Sequence, residues 1–187
     1  MKPQPFAETN STSTTNSRGF HVILITNLLF VIAVIVSRAF KQWNKYYDVM
    51  LFVSFCNLLY NFLCHDYLTW LFHPDLLLTH KTADFMNTLL LLPSTTLLYL
   101  HFFPAAKRNQ VIYYFSWVIG FSALEFLWYS YGRITYHHGW HFVWSIAFYF
   151  FMFLTIRLLH SHRVIGLLVS AGTVAFLIIY FQIPLGE

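Results

Sequence analysis

Apolar residues fall along this chain in six long blocks, at about 20–38, 46–64, 85–103, 111–130, 140–159 and 164–183. Each is long enough, as a helix, to cross roughly 30 Å of hydrocarbon. Trp43, Tyr46, Tyr47, Trp70, Tyr131 and Trp140 stand near block ends, where amphipathic rings favour a membrane interface. The pattern predicts an all-α integral membrane helical bundle of about six transmembrane helices over residues 20–187. Residues 1–19 are polar, rich in Ser, Thr and Asn, and lack apolar periodicity, so they read as a disordered tail. The stretch from His65 to His80 is expected to lie along the interface ahead of the third block. The first block is longer than a signal-peptide core and follows a weakly basic tail, so it reads as a retained anchor.

Composition agrees with this picture. Hydrophobic residues make up 58% of the 187 and charged residues only 10%, against roughly 25% charged in an ordinary soluble domain. The formal charge of +4 is scattered, with no basic stripe, which excludes nucleic acid as the expected partner. The connections after blocks one, three and five hold Arg38, Lys41, Lys45, Lys107, Arg108, Arg157 and Arg163, and the other side holds Lys2, Arg18, Lys81 and Arg133. This asymmetry predicts a cell-membrane protein with both termini outside. Cys56 and Cys64 share one predicted helix, roughly 12 Å apart along its axis, too far for a disulfide.

From Asp84 to Leu159 a further pattern stands out: an acidic residue entering the third block, Leu92-Pro93, then Leu100-His101-Phe102-Phe103-Pro104 and a short basic turn. Glu125, Tyr136-His137-His138-Gly139-Trp140, Trp144-Ser145 and Tyr149 complete it. This resembles an uncharacterised family of small multi-pass membrane proteins from spore-forming bacilli and clostridia. The resemblance implies a bacterial cell membrane and an unassigned activity, and it carries over no catalytic residue.

Glu125 is the most informative side chain. An ionisable group at that depth costs about 2–3 kcal/mol, less near the interface, so it is expected to face the bundle interior and find a partner. Ser122 and Tyr129 share its helical face and Arg133 lies two turns further out. The group is either a proton, cation or ligand site, or a polar contact that fixes helix packing. Asn57 and Asn61, with Ser54, form a polar seam on the second block that either lines a wet path or bonds neighbouring helices.

A second constellation is His137-His138-Gly139-Trp140-His141. On a helix, His137 or His138 with His141 would turn two imidazoles to one side. His65, Asp66 and Asp84 emerge on the same predicted face and could complete a shell for a divalent metal. Histidines are also at home at a wet interface without any metal. A di-iron histidine-box enzyme is disfavoured, because His101, His160 and His162 fall at the opposite end of the bundle.

Pro93 should kink the third block by leaving the Leu89 carbonyl without a donor, with Ser94, Thr95 and Thr96 at hand. Ser116 with Gly120, and Gly166 with Ser170, have the small-xxx-small spacing that permits close helix approach. Three functions follow. One is a non-enzymatic sensor, accessory subunit or small transporter-like bundle centred on Glu125. Another is a metal-dependent membrane enzyme using the outer histidines, and the last is a structural or assembly partner. The implied partners are the lipid bilayer and a second copy of the chain or another membrane protein.

Overall fold

A computed structural model describes residues 22–64, 67–73 and 80–184. The polar tail, His65 and Asp66 lie outside the described residues. Helix α1 (Val22–Val36) leads through a 3₁₀ turn (Ala39–Gln42) into α2 (Trp43–Leu63) and strand β1 (Trp70–Phe72). Then come α3 (His80–Met86), a π-helical turn (Asn87–Leu91), α4 (Leu92–His101), α5 (Lys107–Ser130), strand β2 (Ile134–Tyr136), α6 (Phe142–Ser161) and α7 (Arg163–Tyr180). Among the described residues each predicted apolar block holds helix, the third in pieces. Among the described residues α5, α6 and α7 are long and apolar enough to cross a membrane, and α1 with α2, bent by 73° and counted as one span, makes four. The other blocks fall short for local reasons. Arg38, in the left-handed region at φ 58, ends the first helix early. Lys45 and Asp48 make the start of α2 polar, and the third block is broken into short pieces at the π turn.

The third block forms the centre. Ser94 through Leu100 on α4 are all buried, with α1 and α2 packed against them. One half of the bundle is filled by rings: Tyr99 and Phe153 are completely buried, and Tyr113, Trp117 and Phe121 surround them at centroid distances of 5.0–6.2 Å. At that end Asp48 pairs with Arg163, Arg157 lies 4.2 Å over the Phe103 ring and Tyr46 meets His160. The connections bearing the excess of Lys and Arg thus gather at one end.

At the other end β1 and β2 form an antiparallel ribbon in the register Trp70↔Tyr136, Leu71↔Thr135 and Phe72↔Ile134. The described part of the stretch expected to lie along the interface, residues 67–73, is tied through β1 to the connection that follows α5. His73 N donating to Arg133 O and His137 N to Thr69 O extend the ladder. The turn into β2 needs a glycine: Gly132, at φ 65, lets the Arg133 amide reach back to the Trp128 carbonyl at 2.8 Å, a helix stop of Schellman type.

Pro93 acts, but not at the predicted carbonyl. Leu92 N–H bonds to Asn87 O, an i→i−5 pairing, and in that register the next donor would be Pro93 to Thr88. The orphaned acceptor is therefore Thr88 O rather than Leu89 O. Its donor is Ser54 Oγ from α2 at 2.9 Å, not the neighbouring hydroxyls. Ser54→Ala should cost about 0.5–1.5 kcal/mol in detergent unfolding. It should cost markedly less in a Pro93→Ala background, where the backbone supplies the donor. Equal costs in both backgrounds would contradict this assignment.

Candidate functional site

Glu125 sits 4% exposed on the inward face of α5, nearly two turns before the Gly132 stop. Its Oε1 accepts the Tyr136 hydroxyl at 2.6 Å and its Oε2 accepts the Tyr149 hydroxyl. One donor comes from β2 and the other from α6, so the carboxyl joins three elements. Tyr136 is held by stacking on Tyr129, with centroids 5.4 Å apart and planes 14° apart. Burial, and secondly its bond to Glu125, hold the Tyr136 hydroxyl protonated well above the usual tyrosine range. Ser122, expected beside Glu125, bonds its own helix at Val118 O. Arg133 lies beyond Gly132, half-buried, with its backbone in the ribbon.

Beside Glu125 is a cavity of about 100 Å³, walled by α2, the third block, α5, α6 and both strands. Asp84, Asn57, Asn87 and Ser145 supply its other polar groups. Asn57 Nδ2 donates to Thr88 Oγ1 at 2.7 Å, and Thr88 Oγ1 in turn donates to the Asp84 carbonyl at 2.8 Å. Asn27 Nδ2 donates to Asn87 Oδ1 at 2.8 Å. Trp140 Nε1 donates to Ser145 Oγ at 3.0 Å, and Trp70, Phe72 and Ile134 of the ribbon also line the cavity. The indole N–H of Trp128, a residue 5% exposed, has no acceptor among the described residues, although the ring lines the cavity. A π-helical turn at this wall is the kind of irregularity that recurs at functional sites.

The sequence candidates thus divide. Glu125, Asn57 and Asp84 come together on one cavity, while Asn61 bonds back to Asn57 O on its own helix and does not line it. The histidine segment is not helical. His138 at φ 53 and Gly139 at φ 79 turn the chain sharply, and His141 is extended ahead of α6, so the i,i+4 argument for a shared face does not apply. His137 and His73 flank Thr135 Oγ1 at 3.1 and 2.9 Å. His138 stacks on Tyr67 at 3.7 Å, and His141 lies beside Trp144. Among the described residues no three His, Cys, Asp or Glu side chains gather where a metal could be held. Asp84 faces the cavity instead.

Sequence reasoning missed the roles of Tyr136, Tyr149, Trp128 and Ser145. One signal was available: Ser145 and Tyr149 have i,i+4 spacing on a helix whose opposite positions are apolar. No family model, curated protein or solved structure matches this chain.

Proposed function

We propose that this chain is a non-enzymatic multi-pass protein of a bacterial cell membrane. In this reading it crosses the bilayer six times with both termini outside. It serves as a sensor, accessory subunit or small transporter-like bundle by holding a small cation in the cavity beside Glu125. The observation that carries this reading is the wall itself. Two carboxyl groups, Glu125 and Asp84, line one cavity whose wall has no Lys, Arg or His among the described residues. Burying acidic groups in an apolar bundle is costly unless they are partnered, and a cation in the cavity would offset that cost.

Aromatic rings on the same wall suit a cation, because their faces carry negative quadrupole density. The volume admits an ion with a few waters, each of which needs only ~10–15 Å³ of such space. In the competing reading, a packing role, the Glu125 and tyrosine contacts would exist for stability alone.

Methylammonium chloride separates the two. At matched ionic strength it should raise the unfolding midpoint of the detergent-purified chain above that in N-methylglucamine chloride. The gain approaches about 1.4 kcal/mol at ten times its Kd. Glu125→Gln should abolish the difference. No difference in the parent, or the same difference in Glu125→Gln, would leave the packing role standing alone.

A further inference from the structure

The cavity beside Glu125 is not isolated. Next to it runs a larger apolar groove of about 180 Å³, walled by α2, α6, α7 and the chain around Phe181. Asn57, Trp70, Trp140 and Phe148 line both spaces and so form the partition between them. The partition is largely aromatic: Trp70 lies 5.0 Å from Trp140 and 6.0 Å from Phe148. Among the described residues no charged side chain lines the groove. It passes between helices whose outer faces carry exposed Leu, Ile, Val and Phe, the surface that faces hydrocarbon in the membrane reading. One space holds the two carboxyl groups among aromatic rings, the other is almost wholly apolar, and they share a wall.

We infer that the site takes an alkylammonium amphiphile, with its protonated amine in the cavity lined by Glu125 and Asp84 and its hydrocarbon chain in the adjoining groove. This rests on the cation reading of the Glu125 cavity and names the class of ligand. Each end of such a molecule meets matching chemistry. The ammonium finds two carboxyl groups, the Asn57 amide at the partition and the faces of Trp70 and Trp140. The chain finds Phe52, Met152, Val174 and Leu177.

The Trp128 ring lines this cavity, and its N–H has no acceptor among the described residues. A water entering with the ammonium would offer that N–H an acceptor. A chain leaving the bilayer for a protein groove gains little hydrophobic free energy, since lipid tails are equally apolar. Selectivity must therefore come from the charged head, and the groove acts as the lateral route that brings the head to the acids.

The test uses the full chain in phosphatidylcholine nanodiscs, with binding read from tryptophan fluorescence. Decylamine, protonated at pH 7, should bind saturably at concentrations at least tenfold below methylammonium. Decanol and decanoate should not bind saturably. Glu125→Gln should lose both amines. Thr173→Phe, which fills the groove, should lose the decylamine advantage and keep the methylammonium response, which also reports that the variant is folded. Ser170→Leu is a second groove variant with the same expectation.

If decanol or decanoate binds as well as decylamine, or if both groove variants bind decylamine like the parent, the amphiphile proposal fails. If methylammonium binds and decylamine does not, the proposal fails while the cation reading of Glu125 stands. Silence from both amines overturns both.

Discussion

Gly166→Ala is expected to destabilise the folded chain by about 3 kcal/mol, while Gly120→Ala and Gly172→Ala are neutral or mildly stabilising. A Cβ on Gly166 would stand 2.6 Å from the Leu159 backbone nitrogen and 2.8 Å from its Cα and Cγ. Two of those atoms are backbone and cannot rotate aside, so α6 and α7 would have to separate. Their freedom to do so is small, because only His162 lies between Ser161 and Arg163 and the Gly166 amide is bonded to the His162 carbonyl at 3.0 Å. Overpacking a fitted contact costs about 1–3 kcal/mol or more, and a backbone clash belongs at the upper end. At Gly120 and Gly172 an added Cβ meets nothing within 4 Å, so those positions show only helix propensity, about 1 kcal/mol in favour of alanine. Reversible unfolding in mixed detergent micelles checks the series. A Gly166→Ala chain as stable as the parent would disprove the close crossing.

The pair Tyr136→Phe and Tyr149→Phe, combined, is expected to cost about 2–4 kcal/mol and each alone about 1–2 kcal/mol. Each phenol serves a different oxygen of Glu125, so the double variant strips both from a carboxyl that is 4% exposed. The penalty comes from the acceptor left behind rather than from the lost ring hydroxyls. Adding Glu125→Leu to the double variant should therefore restore much of the stability, because an apolar group at a buried position needs no donor. If Glu125→Leu lowers stability further, the carboxyl is held by something other than the two tyrosines.

Tyr136 carries a pH signature as well. Its hydroxyl is raised above the usual range by burial and by Glu125, so above about pH 10 the folded chain binds more protons than the unfolded one. Stability is then fully present below about pH 10 and falls as pH rises beyond it. Tyr136→Phe should flatten that alkaline decline.

The sequence by itself determined the helical blocks, since runs of about twenty apolar residues report local helix and membrane compatibility without reference to any partner. It also determined that Glu125 must face inward and be satisfied, because the cost of an acid in an apolar segment is local. Pro93 and Gly166 were legible as positions of backbone consequence for the same reason.

What satisfies Glu125 was decided only by tertiary structure. Its donors lie 11 and 24 residues further along the chain, one on a three-residue strand too short to leave a periodic trace. The ribbon that carries it exists because two connections meet, which no single segment encodes. Gly120 and Gly166 share one motif, and only the approach of α6 to α7 separates an open position from a close crossing. At Pro93 a one-residue change of hydrogen-bond register moved the orphaned carbonyl from Leu89 to Thr88 and its donor to another helix. The histidines, plausible as a helical pair, are dispersed by a turn at His138 and Gly139, both in the left-handed region. Local free energies are written in the residues themselves, whereas pairing, register and closure depend on elements that only the folded chain brings together.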